Sequence, residues 1–286
     1  MGRHGDLPLR TMFYNAAQLK QMAGARGIFP RKDRGQNFLI DKNVLENVVR
    51  HANIGAKDTV VEVGPGFGAL TGELAKLAGR VIAVECDKKL AAFLRKEYAG
   101  VKNLELIEGD ILKMRVPVPA RYCVVANLPY RIATAVIKKF FSLPVKPARM
   151  LIFAQEEVAQ RICASPPQMS VLAVSVQFYA NSEIAFHVSK NCFWPVPLVG
   201  SSVLNIVSRA KPLCGIARAR TFFRIVKIGF SAKRKQLKNN LKAGIKISED
   251  AILAAFAKAG IAPNARAQEL SLETWLALAR ELEGVL

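Results

Sequence analysis

The run Thr59-Val-Val-Glu-Val63 leads straight into Gly64-Pro-Gly66-Phe-Gly68 and then into a helical pattern from Ala69. No other stretch restricts the fold as tightly. A β-branched apolar run, a glycine turn and an amphipathic segment make the first βα unit of a parallel sheet. The alternation then continues. The spacing predicts a helix over Ala69–Ala78, ended by Gly79, and a second strand over Arg80–Glu85. Asp87 offers a cap for a helix reaching Tyr98. Leu104–Ile107, Tyr122–Ala126 and Met150–Ala154 read as further strands, with a helix over Ala133–Phe141. The strand cores are nearly all apolar, as expected when both faces of a parallel sheet are covered. The predicted fold class is α/β, a Rossmann-like sheet.

Ile184–Val188 and Ser202–Val207 look like late strands, and Val171–Tyr179, apolar all round, fits either a buried helix or a buried strand. After about residue 210 only helical patterns remain, over Ile216–Ile228, Ser231–Leu241, Glu249–Ala259 and Leu272–Glu283. Ser248 followed by two acids caps the third of these. The reading is an N-terminal extension over 1–25, an α/β domain over 26–209 and a small helical domain over 210–286. Within the extension, a short helix is expected to start at Met12; Met1 and Met12 are both candidate first residues.

Of the 286 residues 51% are hydrophobic, which excludes a disordered chain. No apolar run is long enough to span a bilayer, and the N-terminus lacks a signal-peptide core. Five scattered cysteines without a CxxC pair or a nearby histidine point away from a zinc site or a disulfide framework. They fit a reducing cytoplasm, and a soluble monomer is expected. His4, His51 and His187 are assigned no role, and Cys86 and Cys123 are expected as small core residues.

The charge is uneven. The net charge is +20, yet Ile184–Ser248 holds 13 Lys and Arg and no acid. A run of that length is read as a surface for a polyanion, with nucleic acid ahead of an anionic membrane. Arg218, Arg220, Arg224, Lys227, Lys233, Arg234, Lys235 and Lys238 are the candidate RNA-binding residues; a solvated helix face is the bland alternative.

The glycine loop lets a ligand approach backbone N–H groups at a helix N-terminus. A dinucleotide would suit such a loop as well. Three features favour S-adenosylmethionine. Glu62 stands two positions before Gly64, which suits an ammonium-bearing ligand. The third glycine falls at 68. The next strand ends in Glu85, placed to accept from both ribose hydroxyls. Asp110, after the third strand, could accept from the adenine amino group of the cofactor, or simply cap a turn. Asn127-Leu-Pro-Tyr130 follows the fourth strand. The Asn127 side-chain oxygen and the Leu128 carbonyl can accept from an exocyclic amine whose lone pair is otherwise drawn into its ring. Pro129 stiffens the loop, and Tyr130 offers a stacking face for an extruded base. No metal is required, because the methyl of a sulfonium is already activated.

Gly35-Gln-Asn37-Phe-Leu39-Ile-Asp41, EVGPGFGALT, VECD, EGD and NLPY occur here in the order seen in the ribosomal RNA adenine N6,N6-dimethyltransferases of the small subunit, which the chain resembles from about residue 26 to its end. Phe193-Trp-Pro195-Val-Pro197-Leu-Val-Gly-Ser201, Phe230–Leu241 and Glu269–Glu273 extend the likeness. The resemblance implies cofactor contacts from Asn37, Leu39, Gly64, Gly66, Glu85, Asp110 and Asn127. It implies that Phe193 faces Tyr130 across the target base, and that the product is dimethyladenosine at two adjacent adenosines in the hairpin near the 3′ end of small-subunit rRNA. Arg131, Ala133, Leu198, Gly200 and the short loop over 162–170 depart from the family's usual text. They touch the docking of the target more than the reaction. The alternatives are a large-subunit rRNA methyltransferase of the resistance type, a mainly non-catalytic assembly factor and, more distantly, a dehydrogenase.

Overall fold

The computed structural model describes residues 15–31, 35–211 and 213–283. In chain order the elements are α1 (Ala16–Ala25), β1 (Phe38–Leu39), α2 (Lys42–Ala52), β2 (Thr59–Val63), α3 (Ala69–Leu77), β3 (Arg80–Glu85), α4 (Lys88–Glu97), β4 (Leu104–Glu108), β5 (Cys123–Ala126), α5 (Ala133–Ser142), β6 (Arg149–Gln155), α6 (Glu156–Ile162), α7 (Val171–Gln177), β7 (Ala180–Val188), β8 (Phe193–Trp194), β9 (Ser201–Ser208), α8 (Ile216–Gly229), α9 (Leu237–Gly244), α10 (Glu249–Lys258) and α11 (Leu272–Glu283).

Seven strands form one sheet in the order β4-β3-β2-β5-β6-β9-β7. Five of them are parallel, and β9 joins β6 antiparallel, with Ala154 opposite Ser202. The order reverses beside β2, between β3 and β5. That is the switch point at which open α/β sheets bind ligands, beyond the carboxyl ends of their strands. The core on one side of the sheet joins Leu45 and Val48 of α2 and Leu70 and Leu74 of α3 to Val60, Val81 and Phe153 of the strands. Helix α2 carried no expectation from the sequence, yet it is capped by Asp41, which accepts from the Val44 N–H at 2.9 Å.

The chain divides into two compact units. One runs to Glu156 and resumes over Glu183–Ser208; the other takes Glu157–Ser182 and continues from Arg209. The expected boundary near 209 is therefore incomplete, because 157–182 joins the helical unit. The reason is packing: Met169, Ala173, Val174 and Phe178 are buried in one cluster with Phe222, Leu237, Leu241 and Trp275. Residues 171–177 resolve as a helix, capped by Ser170. The expected extension is corrected as well. Helix α1, capped by Asn15, buries Leu19 and Ala23 against Phe67, Phe93 and Leu94 of the α/β unit. Met12 and both candidate first residues lie outside the described residues.

The helix expected over Ser231–Leu241 begins only at Leu237. The Leu237 N–H donates to the Ala265 carbonyl at 2.8 Å, and Asn240 Nδ2 donates to the carbonyls of Gly229 and Ala232, which hold the preceding segment as a turn. Cys86, expected in the core, lies just past β3 and is exposed. Among the described residues no helix is long and apolar enough to cross a membrane.

Candidate active site

A cleft lies in the α/β unit at the carboxyl ends of β2, β3 and β5. It is lined by Asn37, Leu39, Gly64, Gly66, Glu85, Asp110 and Asn127, and also by Leu19, Glu62 and Pro129. All seven residues expected at the cofactor site are thus brought to one cleft from five separate segments.

The glycine loop forms its floor. Gly64, Gly66 and Gly68 have φ of 70, 61 and 85°, a region that L side chains avoid. A Cβ on Gly66 would stand 2.8 Å from Phe38 Cδ1, and one on Gly68 would stand 2.7 Å from Tyr98. Phe38 is held in turn by edge-on contact with Phe67, ring centroids 4.7 Å apart. The backbone at Gly66 is therefore exposed to the cleft on one side and closed by aromatic packing on the other.

Glu85 is 3% exposed. Its Oε2 accepts from the Gly66 N–H at 3.1 Å and its Oε1 from the Asp87 N–H at 2.9 Å. Burial raises its pKa, while these two backbone donors work in the opposite direction. Each oxygen keeps lone-pair capacity beyond the backbone bond, so the carboxylate is aimed and can still accept from a diol. Glu62, behind the loop, is 1% exposed, and its Oε2 is buried without a hydrogen-bond partner. Burial pushes its carboxyl up to about 8; the Thr71 hydroxyl lowers it and Glu85 raises it further. A buried, unpartnered carboxylate oxygen beside an empty-sided glycine cradle fits a cationic ligand. Asp110 Oδ1 accepts from the Leu112 N–H at 2.9 Å, which orients the carboxylate at the cleft wall.

Asn127 stands just past β5. Its Nδ2 donates to the Asn37 carbonyl at 3.2 Å, so its Oδ1 is left as an aimed acceptor. The Asn37 amide donates to the Gly35 carbonyl at 3.2 Å. The sequence placed Asn37 only at the cofactor; the fold also makes it the holder of Asn127. Leu128 is buried at 2%, and the Pro129 carbonyl accepts from the Ile132 N–H at 3.0 Å, closing the loop into a turn. Tyr130 is half-buried, and its hydroxyl lies 2.6 Å from Ser201 Oγ. Burial raises the phenol's pKa and the Ser201 bond lowers it. Ser201 closes the word from Phe193 that carries the family likeness, but no role was expected of it; it stands at the start of β9.

Phe193 is corrected. It is 1% exposed and packs edge-on against Phe153 at 5.9 Å, with Leu39 as its strand partner. In this conformation its ring is a core side chain and offers no free face to a base.

Of the candidate RNA-binding residues, Arg220, Arg224, Lys227, Lys233, Arg234 and Lys235 are exposed. Arg218 pairs with Glu283 at 3.2 Å, and Lys238 pairs with Glu249 at 3.2 Å and is largely covered. These two hold helices of the helical unit together.

Residues 30–283 match the family model described as ribosomal RNA adenine dimethylase. The chain is 41% identical to the ribosomal RNA small subunit methyltransferase A of Dehalococcoides mccartyi (strain CBDB1), over 94% of each chain. It is 38% identical to the protein of the same name from Moorella thermoacetica, over 90% of this chain and 94% of that one. Among solved structures it resembles the 23S rRNA methyltransferase ErmE, with a TM-score of 0.73 and 28% identity over 86% of this chain and 99% of that one. A dimethyladenosine transferase from Plasmodium falciparum shares the fold, with a TM-score of 0.74 at 24% identity over 86% of this chain and 98% of that one. With the seven expected cofactor residues lining one cleft and a family match from residue 30 to 283, the chain belongs to the ribosomal RNA adenine dimethylases, and its cofactor is S-adenosylmethionine.

Proposed function

We propose that the chain dimethylates N6 of two adjacent adenosines in the 3′-terminal hairpin of small-subunit rRNA, as a cytoplasmic monomer that acts during small-subunit biogenesis. The observation that carries the reading is Asn127, pinned through its amide nitrogen to the Asn37 carbonyl with its oxygen left to accept, on the wall of a glycine-floored cleft. The relatives named for the small subunit favour it over the large, at 41% identity against 28% for ErmE.

S-adenosylmethionine, when bound, supplies a methyl already activated on sulfur. The chain's residues then bind and orient. Glu85 accepts from the ribose, Glu62 balances the ammonium, and Gly64 and Gly66 bring backbone N–H groups within reach. Leu39 and Asp110 complete the walls. The Asn127 oxygen and the Leu128 carbonyl accept from the adenine amine, so that its lone pair is freed from the ring and turned towards the methyl. Pro129 keeps these acceptors in one geometry. Tyr130, steadied by Ser201, stacks on the extruded base. Catalysis is then positioning and exclusion of water. Arg220, Arg224, Lys227, Lys233, Arg234 and Lys235 hold rRNA phosphates; Arg218 and Lys238 add charge there while serving as ion-pair partners.

Incubating the chain and the labelled cofactor with under-methylated small subunits, and separately with large-subunit rRNA, then mapping the modified nucleosides, tests the reading. Dimethyladenosine in the small subunit alone is expected. Methylation of the large-subunit RNA alone would overturn the assignment of target.

A further inference from the structure

We infer that helix α1 covers the cofactor's side of the cleft, with Leu19 as a further cofactor-contacting residue, and that opening of this cover sets how fast S-adenosylmethionine is exchanged. The inference concerns the cofactor and holds whichever adenosine is methylated.

Leu19 lines the cleft together with Glu85, Leu90 and Asp110. It is buried in one cluster with Phe38, Phe67, Leu90, Phe93 and Leu94. Phe38 and Phe67 line the same cleft, and Phe38 is the ring that closes the back of Gly66. Leu90, Phe93 and Leu94 belong to α4, which follows β3 and Glu85. Asn127–Tyr130 follow β5, and β2 stands between β3 and β5 in the sheet. Leu19 therefore reaches the cleft from the side away from the loop that captures the base. A ligand that fills the cleft beside Glu85 and Leu90 touches it.

A buttress that only stabilises the fold is the ordinary explanation of such a helix, and the way α1 is held speaks against it. Its 10 residues are fewer than a helix needs to hold itself in water, so its place depends on what it buries. That is one narrow stripe, Leu19 and Ala23. Among the described residues the polar bonds that join it to α4 lie just past its C-terminal end. Arg26 pairs with Glu97 at 3.1 Å and stands 5.2 Å over the Phe93 ring, and Lys89 Nζ donates to the Gly27 carbonyl at 2.8 Å. Arg26, Glu97 and Lys89 are exposed, and exposed pairs hold weakly. A segment held by one apolar stripe and weak surface bonds opens locally at low cost. Helix α1 carries a single Lys, so it is no grip for a polyanion. An exit for the cofactor is also needed: two transfers to one amine use two cofactors, and the spent one must leave between them. A cover that opens away from the bound base provides that exit.

The test uses the full chain and two variants. Arg26→Gln with Lys89→Gln loosens the surface bonds and leaves every cleft residue in place. Stopped-flow mixing with S-adenosylmethionine can be read by the fluorescence of Trp194, whose ring lies 6.3 Å from that of Phe38. In the double variant association and dissociation should both quicken about fivefold, with Kd within about twofold, because the bonds removed act on the closed cover and not on the ligand. KM for RNA should not change. Leu19→Ala removes the apolar contact itself and should raise Kd about tenfold. In the wild type, hydrogen exchange over Ala16–Ala25 should slow when S-adenosylmethionine is added. Unchanged cofactor rates in the double variant, or exchange in α1 that ignores the cofactor, would leave α1 a buttress and overturn the inference. A raised KM for RNA with cofactor rates unchanged would overturn it too, and would make this segment an RNA contact.

Discussion

Glu62→Gln isolates a buried carboxyl of the glycine-loop cleft. The carboxyl is 1% exposed, one oxygen has no hydrogen-bond partner, and burial pushes its pKa from 4.5 up to about 8. The sign follows from proton binding. Between pH 4.5 and about 8 the folded chain keeps the proton and the unfolded chain has released it, so stability falls as pH rises through that window and levels off above it. Each tenfold change in proton affinity is worth about 1.4 kcal/mol, which sets a ceiling of about 5 kcal/mol on the loss. Glutamine keeps the shape and cannot ionise. The variant should match the wild type near pH 4.5 and exceed it increasingly towards pH 8, by at most about 5 kcal/mol. Glu85 is also raised by burial, and its contribution cancels in the comparison because both proteins retain it. Thermal unfolding of ligand-free protein at pH 5, 6.5 and 8 measures the difference. Cofactor binding should show the opposite trend. An ammonium favours the ionised form, so wild-type affinity rises with pH up to about 8 and binding releases a proton near neutrality, whereas the variant binds more weakly with little pH dependence. Calorimetry in two buffers of different ionisation enthalpy counts that proton. A variant less stable than wild type at pH 8, or one that keeps the wild-type pH dependence of cofactor binding, would refute the reasoning.

Gly66→Ala should lower cofactor affinity at least tenfold in calorimetry, because its φ of 61° strains a side chain and the new Cβ meets Phe38 at 2.8 Å. Asn127→Ala should abolish transfer in a single-turnover assay and leave RNA affinity within about twofold, since the oxygen it removes acts on the attacking amine. Ser201→Ala breaks the 2.6 Å bond to Tyr130 and should slow transfer about fivefold at unchanged cofactor affinity, the effect of about 1 kcal/mol for a lost hydrogen bond; the same substitution made in Tyr130→Phe should do nothing more. Phe193→Ala should cost about 3–5 kcal/mol in thermal unfolding, as expected of a buried aromatic ring, before any effect on the base is read.

The parts of the fold that were legible are those set by nearby residues. The strand from Thr59 to Val63, the glycine turn and the strand from Arg80 to Glu85 were read to the residue, because β-branched runs bounded by glycine leave few other conformations. The cofactor residues Gly64, Gly66, Glu85, Asp110 and Asn127 were legible for a related reason: each sits at or just past the end of a parallel strand, and the switch point gathers such ends. What escaped depends on distant partners. Whether residues 157–182 belong with the sheet or with the helices turns on Met169 and Phe178 finding Phe222 and Trp275, and nothing in the local pattern says so. Ser231–Gln236 has helical composition, yet the Ala265 carbonyl takes the Leu237 N–H and Asn240 takes two carbonyls, so the turn wins. Arg218 and Lys238 looked like free cations until Glu283 and Glu249 arrived from elsewhere in the chain. Phe193 shows the sharpest form of the problem. A phenylalanine beside Trp194 and two prolines reads equally as a stacking face or as a core ring, and only the packing of Phe153 against it decides which one the ligand-free chain presents. For the same reason Tyr130 is the better guide to base capture here: its ring is half-buried and its hydroxyl is fixed, so it can be aimed without first being pulled from the core.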